Sequence, residues 1–200
     1  VYFANPGAAL MERSLVDWMA GLVGYPDGAG GDLTSGGSIA NLSAIITARE
    51  AMQLRARDVE CGCIYLTEDV HHCVDKALCA AGLAESRKRL VPMDAHYRMD
   101  AAVLEEMIAS DRDDGLRPWL LVASAGTTDT GAIDPIAALA DIADENGLWM
   151  HVDAAYGGFF LLCEEGREVL RGLHRSHSIV LDPHKGLFLP YGSGAVLIRE

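Results

Sequence analysis

Short apolar runs alternate with helical stretches along most of the chain, and this alternation constrains the fold more than any other feature. The runs have the length of buried strands and are Cys63–Leu66, Arg89–Val91, Trp119–Ser124, Leu148–Val152, Ser178–Leu181 and Ala195–Ile198. The helical stretches between most of them are about Val70–Ala81, Asp100–Ser110, Pro135–Asn146 and Glu164–Arg171. Strands joined by helices form parallel sheets with both faces covered. The sequence therefore predicts an α/β fold, with a mainly parallel sheet and helices on both faces.

The first third of the chain predicts two helices separated by a glycine-rich loop. The first helix covers about Ala8–Tyr25. Its apolar face is expected to carry Leu10, Leu15, Trp18, Met19 and Leu22. The loop covers Gly28–Gly37, and Ser38 is the predicted N-cap of a second helix that reaches about Arg57. We find no internal repeat and no linker, so we expect one layered domain.

The composition excludes several classes of protein. Half of the residues are hydrophobic and 22% are charged, which is typical of a globular protein and not of a disordered one. The formal net charge of -13 argues against nucleic acid and anionic membrane surfaces as partners. No apolar run approaches the roughly 20 residues that span a bilayer. The five cysteines lack the spacing of a disulfide scaffold, which predicts a reducing, cytoplasmic location.

Polar residues and glycines that could bind a ligand or take part in catalysis follow the predicted strands. His71 comes after the run at Cys63–Leu66, and Gly126-Thr127-Thr128, Asp153 and Lys185 follow three later runs. Ligands of parallel α/β sheets bind at the carboxyl ends of the strands. The positions of these residues therefore predict an active site at that edge of the sheet.

Gly36-Gly37-Ser38 precedes the second predicted helix. Backbone N–H groups at a helix N-terminus attract anions, and glycine lets the main chain approach a phosphate closely. A flexible turn ahead of a capping serine explains the same residues equally well. The segment has neither the lysine of a Walker loop nor the spacing of a dinucleotide-binding motif, so it indicates an anion site only together with other residues.

Asp153 and Lys185 supply two further groups. Asp153 ends an apolar strand, where a carboxylate either meets a cationic partner or caps the next turn. Lys185 follows another strand, where burial would make the amine nucleophilic; the alternative is an exposed lysine in a loop. A Schiff-base lysine, a carboxylate for a pyridinium nitrogen and a phosphate-binding helix are the features that pyridoxal phosphate requires. Their combination predicts this cofactor.

Four longer segments carry motifs in a fixed order: Thr34–Asn41, Thr67–Ala77, His151–Tyr156 and Asp182–Lys185. Gly126–Thr128 is a fifth, shorter match. These segments resemble the pyridoxal-phosphate-dependent amino-acid decarboxylases that include the aromatic L-amino-acid and glutamate decarboxylases. The resemblance covers nearly the whole chain. It implies the large domain of a fold-type I enzyme, and a homodimer with active sites at the subunit interface.

The ends of the chain agree with a domain that is part of a longer protein. Val1 is not a start methionine, and the last residues read as a strand. We therefore expect residues 1–200 to be an incomplete cofactor-binding large domain, without its N-terminal segment and its C-terminal small domain.

The resemblance implies catalytic roles for three residues. Lys185 would form the Schiff base with pyridoxal phosphate, and Asp153 would keep the pyridine nitrogen protonated. His71 would stack on the cofactor ring and take part in proton transfer.

Five further residues would bind the cofactor by the same resemblance. Gly37 and Ser38 would hold the phosphate, with His184 close to it. Ala155 would pack on the ring face opposite His71, and Thr128 would lie near the polar edge of the ring.

Three positions depart from the resemblance. Gly186 stands where the aromatic-amino-acid enzymes carry tryptophan, and Ile39 stands where they carry glutamate. Asp182 occupies a position that is asparagine in several relatives, and its carboxylate would repel a phosphate if it pointed inward. The departures leave the amino-acid substrate open.

The predicted function is decarboxylation of a small-molecule amino acid to an amine and carbon dioxide. The alternatives are another fold-type I enzyme, such as a carbon–carbon lyase or an aminotransferase, and a non-catalytic cofactor-binding fragment. A metal site at His71-His72-Cys73 is not expected, because adjacent residues at a helix start cannot all point at one ion.

Overall fold

The computed structural model describes residues 3–200, in which seven strands form one sheet. The strands are β1 (Gly30–Thr34), β2 (Gly62–Leu66), β3 (Arg87–Leu90), β4 (Arg117–Ser124), β5 (Trp149–Asp153), β6 (Ser178–Leu181) and β7 (Gly194–Ile198). Their order across the sheet is β1-β7-β6-β5-β4-β2-β3. Strand β7 is antiparallel to both of its neighbours, and the other neighbouring pairs are parallel. The predicted mainly parallel sheet is confirmed.

Helices cover both faces of this sheet, as predicted. They are α1 (Pro6–Val23), α2 (Gly37–Ala51), α3 (Cys73–Ala80), α4 (Ala101–Asp113), α5 (Ile136–Asn146), α6 (Glu164–Val169) and α7 (Pro183–Gly186). One hydrophobic cluster joins the sheet to α2 and α3, and a larger one joins the opposite face to α1, α4 and α5. Within residues 3–200, no helix combines the length and apolar composition that a bilayer crossing requires.

Strand β5 shows how the alternation of side chains divides the two faces. Met150 and Val152 belong to the cluster under α1, α4 and α5. Trp149, His151 and Asp153 point to the opposite face, where α2 lies. The last residue of the strand therefore places a carboxylate beside the N-terminal half of α2.

The loop predicted over Gly28–Gly37 is wrong in part, because it contains β1. Glycine and aspartate have low strand propensity, so the segment lacks the signal of a strand. It forms one nevertheless, because β7 offers it an antiparallel partner. A Cβ atom at Gly31 would lie 2.5 Å from the carbonyl oxygen of Val196, so only glycine permits this close pairing.

The predicted N-cap at Ser38 is also wrong. Gly36 caps α2, with a φ of 140° that favours glycine, and Ser38 lies inside the first turn. The hydroxyl of Thr34 donates to the carbonyl oxygen of Gly36 at 3.1 Å and stabilises this turn. Helix α2 ends at Ala51 and not near Arg57.

The buried face of α1 differs from the expected one. Its buried residues are Val16, Met19, Ala20 and Val23, which follow the i, i+3, i+4, i+7 spacing of one helical stripe. Leu10, Leu15 and Trp18 are 59%, 41% and 46% exposed. The helix therefore has a second apolar face, which nothing within the described residues buries fully.

Candidate active site

A cavity of about 290 Å³ lies at the carboxyl ends of β4, β5 and β6, beside the start of α2. The chain order of the strands reverses between β2 and β4, and such a reversal is where open α/β sheets bind ligands. All eight predicted site residues line this cavity: Gly37, Ser38, His71, Thr128, Asp153, Ala155, His184 and Lys185. The fold thus brings together residues that the sequence separates widely.

Lys185 lies in the short helix α7, which follows β6. Its Nζ atom is 3.1 Å from Oδ2 of Asp182, one helical turn earlier. The sequence predicted a buried lysine, but this side chain is 40% exposed. Lys185 lines the open side of the cavity, and the neighbouring Phe188 is 93% exposed. The amine is therefore reachable from solvent and oriented by the aspartate.

Asp153 is held from two sides at the end of β5. Its Oδ1 atom accepts the backbone N–H of Ala155 at 3.1 Å, and its Oδ2 atom accepts the Asn41 amide N–H at 3.1 Å. Both bonds fix the carboxylate where it borders the cavity. An oriented carboxylate in this position suits a protonated ring nitrogen.

His71 lies between β2 and α3, and its ring is oriented by the main chain. Its Nδ1 atom accepts the backbone N–H of Cys73 at 3.2 Å, so Nε2 carries the hydrogen of the neutral ring. The ring of His72 lies 4.2 Å from it, centroid to centroid. Burial and, next, the neighbouring His72 lower the pKa of His71 below its ordinary value. His71 is therefore a neutral imidazole at neutral pH.

The N-terminus of α2 forms one side of the cavity. Gly36 caps the helix without a side-chain hydrogen bond, and the first-turn N–H groups of a helix are donors to an anion. A Cβ atom at Gly37 would lie 2.8 Å from Oδ2 of Asp182 and 3.4 Å from Cβ of Ala155. Glycine therefore keeps this wall of the cavity open.

The other predicted binding residues surround that wall. The ring of His184 is fixed by a hydrogen bond from Nδ1 to the carbonyl oxygen of Ser193. Ser38 and Thr128 are exposed at the rim of the cavity, whereas Ala155 is buried in its wall.

Two polar residues of the site were not assigned a role from the sequence. Asn41 is 0% exposed and donates to Asp153 from the first turns of α2; an asparagine among alanines on a helix was the signal for it. Asp182 was noted only as a departure. It points inward, is 1% exposed, and its Oδ1 atom has no hydrogen-bond partner within the described residues.

These residues fit pyridoxal phosphate. The cavity offers an amine at Lys185, an oriented carboxylate at Asp153 and a glycine-lined helix N-terminus at Gly37. An aldehyde, a pyridine nitrogen and a phosphate require these three groups. The carboxylate of Asp182 opposes an anion at this wall.

Comparison with known proteins decides the family. A family model described as "Pyridoxal-dependent decarboxylase conserved domain" matches residues 1–200. The chain belongs to the pyridoxal-dependent decarboxylase family. This confirms the family, the fold and, at the level of the family, the cofactor predicted from the sequence.

Individual relatives extend this assignment. An aromatic-L-amino-acid decarboxylase from Bacillus atrophaeus is 39% identical over 100% of this chain and 41% of its own length. A solved structure from Vibrio parahaemolyticus has a TM-score of 0.94 and is 32% identical, over 100% of this chain and 46% of that one. It is the glutamate decarboxylase domain of a diaminobutyrate-pyruvate transaminase and L-2,4-diaminobutyrate decarboxylase. Oryza sativa TDC, solved with PLP, is 32% identical, with a TM-score of 0.91 over 100% of this chain and 46% of its own. The chain thus spans less than half the length of these pyridoxal-dependent relatives.

Proposed function

We propose that the protein containing this chain removes carbon dioxide from an amino acid and releases the amine. One observation carries the proposal. The Lys185 amine, the Asp153 carboxylate and the N-terminus of α2 border a single cavity in a chain of the pyridoxal-dependent decarboxylase family. Bound pyridoxal phosphate supplies an electron sink for the electron pair left at the α-carbon when carbon dioxide departs.

Each residue contributes to this reaction through its position. Lys185 would hold the cofactor through Nζ, and Asp182 orients that nitrogen at 3.1 Å. Asp153 keeps the proton on the pyridine nitrogen, which strengthens the electron sink. His71 would stack on the ring as a neutral imidazole, with Nε2–H as its donor.

The remaining predicted residues bind the cofactor without moving a proton. Gly37 and Ser38 hold the phosphate at the N-terminus of α2, and His184 lies close to it. Ala155 would pack on the ring face opposite His71, and Thr128 would lie near the polar edge of the ring.

We infer that the chain is the cofactor-binding large domain of a longer, homodimeric, cytoplasmic protein. The match to only 41% of the Bacillus atrophaeus relative supports the longer protein. The exposed apolar face of α1, formed by Leu10, Leu15 and Trp18, supports further protein contacts. The free cysteines support a reducing compartment.

The full-length protein with added pyridoxal phosphate tests the proposed reaction. Carbon dioxide and amine are measured together, with aromatic amino acids, glutamate and 2,4-diaminobutyrate as substrates. We expect one amine for each carbon dioxide from at least one of them, and a loss of about a hundredfold or more in rate for Lys185→Ala. Transfer of the amino group to a keto acid, or cleavage at another carbon bond without carbon dioxide, would contradict the proposal.

A further inference from the structure

A chain of buried polar side chains lies behind the cavity, and the proposed function does not use most of it. His151 and Ser178 are 0% exposed, and Trp149 is 6% exposed. Trp149 Nε1 lies 2.9 Å from Ser178 Oγ, which lies 2.8 Å from His151 Nδ1. His151 Nε2 lies 2.9 Å from Asn41 Oδ1, and Asn41 Nδ2 lies 3.1 Å from Asp153 Oδ2. This series of hydrogen bonds therefore ends on the Asp153 carboxylate, which borders the cavity.

The orientation of the Asn41 amide follows from its partners. Its nitrogen faces two oxygens that can only accept, the carbonyl of Gly37 at 2.9 Å and the carboxylate of Asp153. Its oxygen consequently faces His151 Nε2, and that atom must carry a hydrogen. The contacts of Asn41 thus select one tautomer of His151.

The other end of the chain agrees with this tautomer. A neutral imidazole with its hydrogen on Nε2 accepts at Nδ1, so the Ser178 hydroxyl donates to it. The indole N–H of Trp149 can only donate, and it donates to the oxygen of the same hydroxyl. Burial lowers the pKa of His151, although Asp153 opposes the shift. Every donor in this series of hydrogen bonds has an acceptor within the series only when the His151 ring is neutral and protonated on Nε2.

We propose that His151 is a positioning residue of the cofactor site: its Nε2–H fixes the Asn41 amide so that Asn41 donates to Asp153. The inference rests on the proposed function in assigning Asp153 to the pyridine nitrogen. Without this N–H, Asn41 Oδ1 loses the donor that holds it, and the side chain can shift away from the Asp153 carboxylate. Asp153 then loses one of the two hydrogen bonds that orient it.

Two substitutions of His151 in the full-length protein test the proposal. His151→Phe keeps an aromatic ring but removes the N–H, whereas His151→Gln retains an N–H donor near the position of Nε2. Tyr25→Phe is the matched control, because it removes another buried hydrogen bond, the 2.8 Å bond between Tyr25 and Ser176, outside this chain. The readouts are the dissociation constant of pyridoxal phosphate, its visible absorbance when bound, and the melting temperature without cofactor.

We expect His151→Phe to weaken pyridoxal phosphate binding about tenfold or more and to change the absorbance band, because a hydrogen bond to a carboxylate is lost. His151→Gln should bind within about threefold of the native protein. Tyr25→Phe should lower the melting temperature without altering cofactor binding. Equal cofactor binding by both His151 variants, or equal weakening by His151→Phe and Tyr25→Phe, would overturn the proposal.

A measurement on the native protein covers the case in which His151→Phe does not fold. In protein labelled with ¹⁵N-histidine, the ring nitrogens of His151 should report the neutral Nε2–H tautomer throughout pH 5–8. A proton on Nδ1 or a charged ring in this range would overturn the proposal. Both readouts are independent of carbon dioxide release, so a failure of the proposed reaction would leave this inference standing.

Discussion

Asp182 places a carboxylate between the N-terminus of α2 and Lys185. Burial raises its pKa above the ordinary value of 3.8, and Lys185 opposes the shift only in part. The folded state therefore binds more protons than the unfolded state between the two pKa values, and the ionised carboxylate lowers stability at neutral pH. The buried negative charge of Asp182 at the cavity wall is therefore unfavourable for the stability of the folded protein.

Replacing Asp182 by asparagine should stabilise the protein without cofactor at pH 7. The amide carries no charge, so the cost of burying an ionised group disappears. The gain in melting temperature should shrink as the pH falls from the raised pKa of Asp182 toward 3.8, and it should stay small below 3.8, where both the folded and the unfolded carboxyl are protonated. Thermal unfolding of both proteins from pH 3 to pH 8 measures it. A lower melting temperature for Asp182→Asn at pH 7 would show that the contact with Lys185 outweighs the cost of burial.

His72 should control the charge of His71. The two rings are 4.2 Å apart, and His72 contributes to the lowered pKa of His71 after burial does. We expect His72→Gln to raise the pKa of His71 toward 6.5, because the electrostatic effect by which His72 lowers that pKa is removed. Titration of the ¹⁵N-labelled ring by NMR measures this shift, with the exposed His96→Gln as control. A His71 pKa at or above 6.5 in the native protein is the contradicting result.

The first turn of α2 is the element to which we assign phosphate binding. Gly37→Ala would place a Cβ atom 2.8 Å from Asp182 Oδ2 at the cavity wall. We expect pyridoxal phosphate to bind about tenfold more weakly or worse, with a folded protein. Gly21→Ala in α1 is the control, since its Cβ atom would meet nothing within 4 Å. That substitution should stabilise the protein by about 0.5–1 kcal/mol and leave binding unchanged. Equal binding by both variants would remove Gly37 from the phosphate site.

Strands β2 and β3 are joined to α4 through the buried carboxylate of Asp111, which pairs with the partly exposed Arg89. Asp111 is 2% exposed and accepts from Arg89 Nε at 3.0 Å and from the Tyr65 hydroxyl at 2.7 Å. Burial alone would raise the pKa of Asp111, but its bonds to Arg89 and Tyr65 outweigh it and lower the pKa. The contribution of this pair to stability is therefore present above the ordinary carboxyl range and lost as the pH falls through the lowered pKa.

Arg89→Met should destabilise the fold by about 2–3 kcal/mol at pH 7, because it leaves Asp111 buried without a cation. The loss should diminish in acid. Arg98→Met, which removes the exposed pair with Asp94, should leave the denaturation midpoint nearly unchanged. Urea unfolding at pH 7 and pH 4 compares them. Equal midpoints for the two variants would mean that Asp111 is satisfied without Arg89.

Sequence patterns predicted the helices and strands whose composition reflects burial. They missed features that depend on contact with a distant part of the chain. The apolar runs of β4, β5 and β6 are buried on both faces, so their composition identified them. Strand β1 exists only through its pairing with β7, and the buried stripe of α1 was misjudged because the helix has two apolar faces. Both failures concern contacts between distant parts of the chain.

At the scale of the whole molecule, the location of the site was predictable and its electrostatic details were not. Strand ends of a parallel sheet meet at one edge, so His71, Asp153 and Lys185 could be expected together from their positions alone. The inward carboxylate of Asp182 and the link from His151 through Asn41 depend on how α2 packs over β5 and β6. Helix packing of this kind leaves no periodic signal in the sequence.

The most direct test of the account is to find which lysine carries the cofactor. The 200 residues contain three lysines, Lys76, Lys88 and Lys185, and of these Lys185 lines the cavity whereas Lys88 pairs with Asp75 at 2.7 Å. Borohydride makes the link between lysine and pyridoxal phosphate permanent, and peptide mapping of the full-length protein then locates the added mass. The account predicts the label on Lys185 and its loss in Lys185→Arg. A label on Lys76, on Lys88 or on a lysine outside these 200 residues would contradict it.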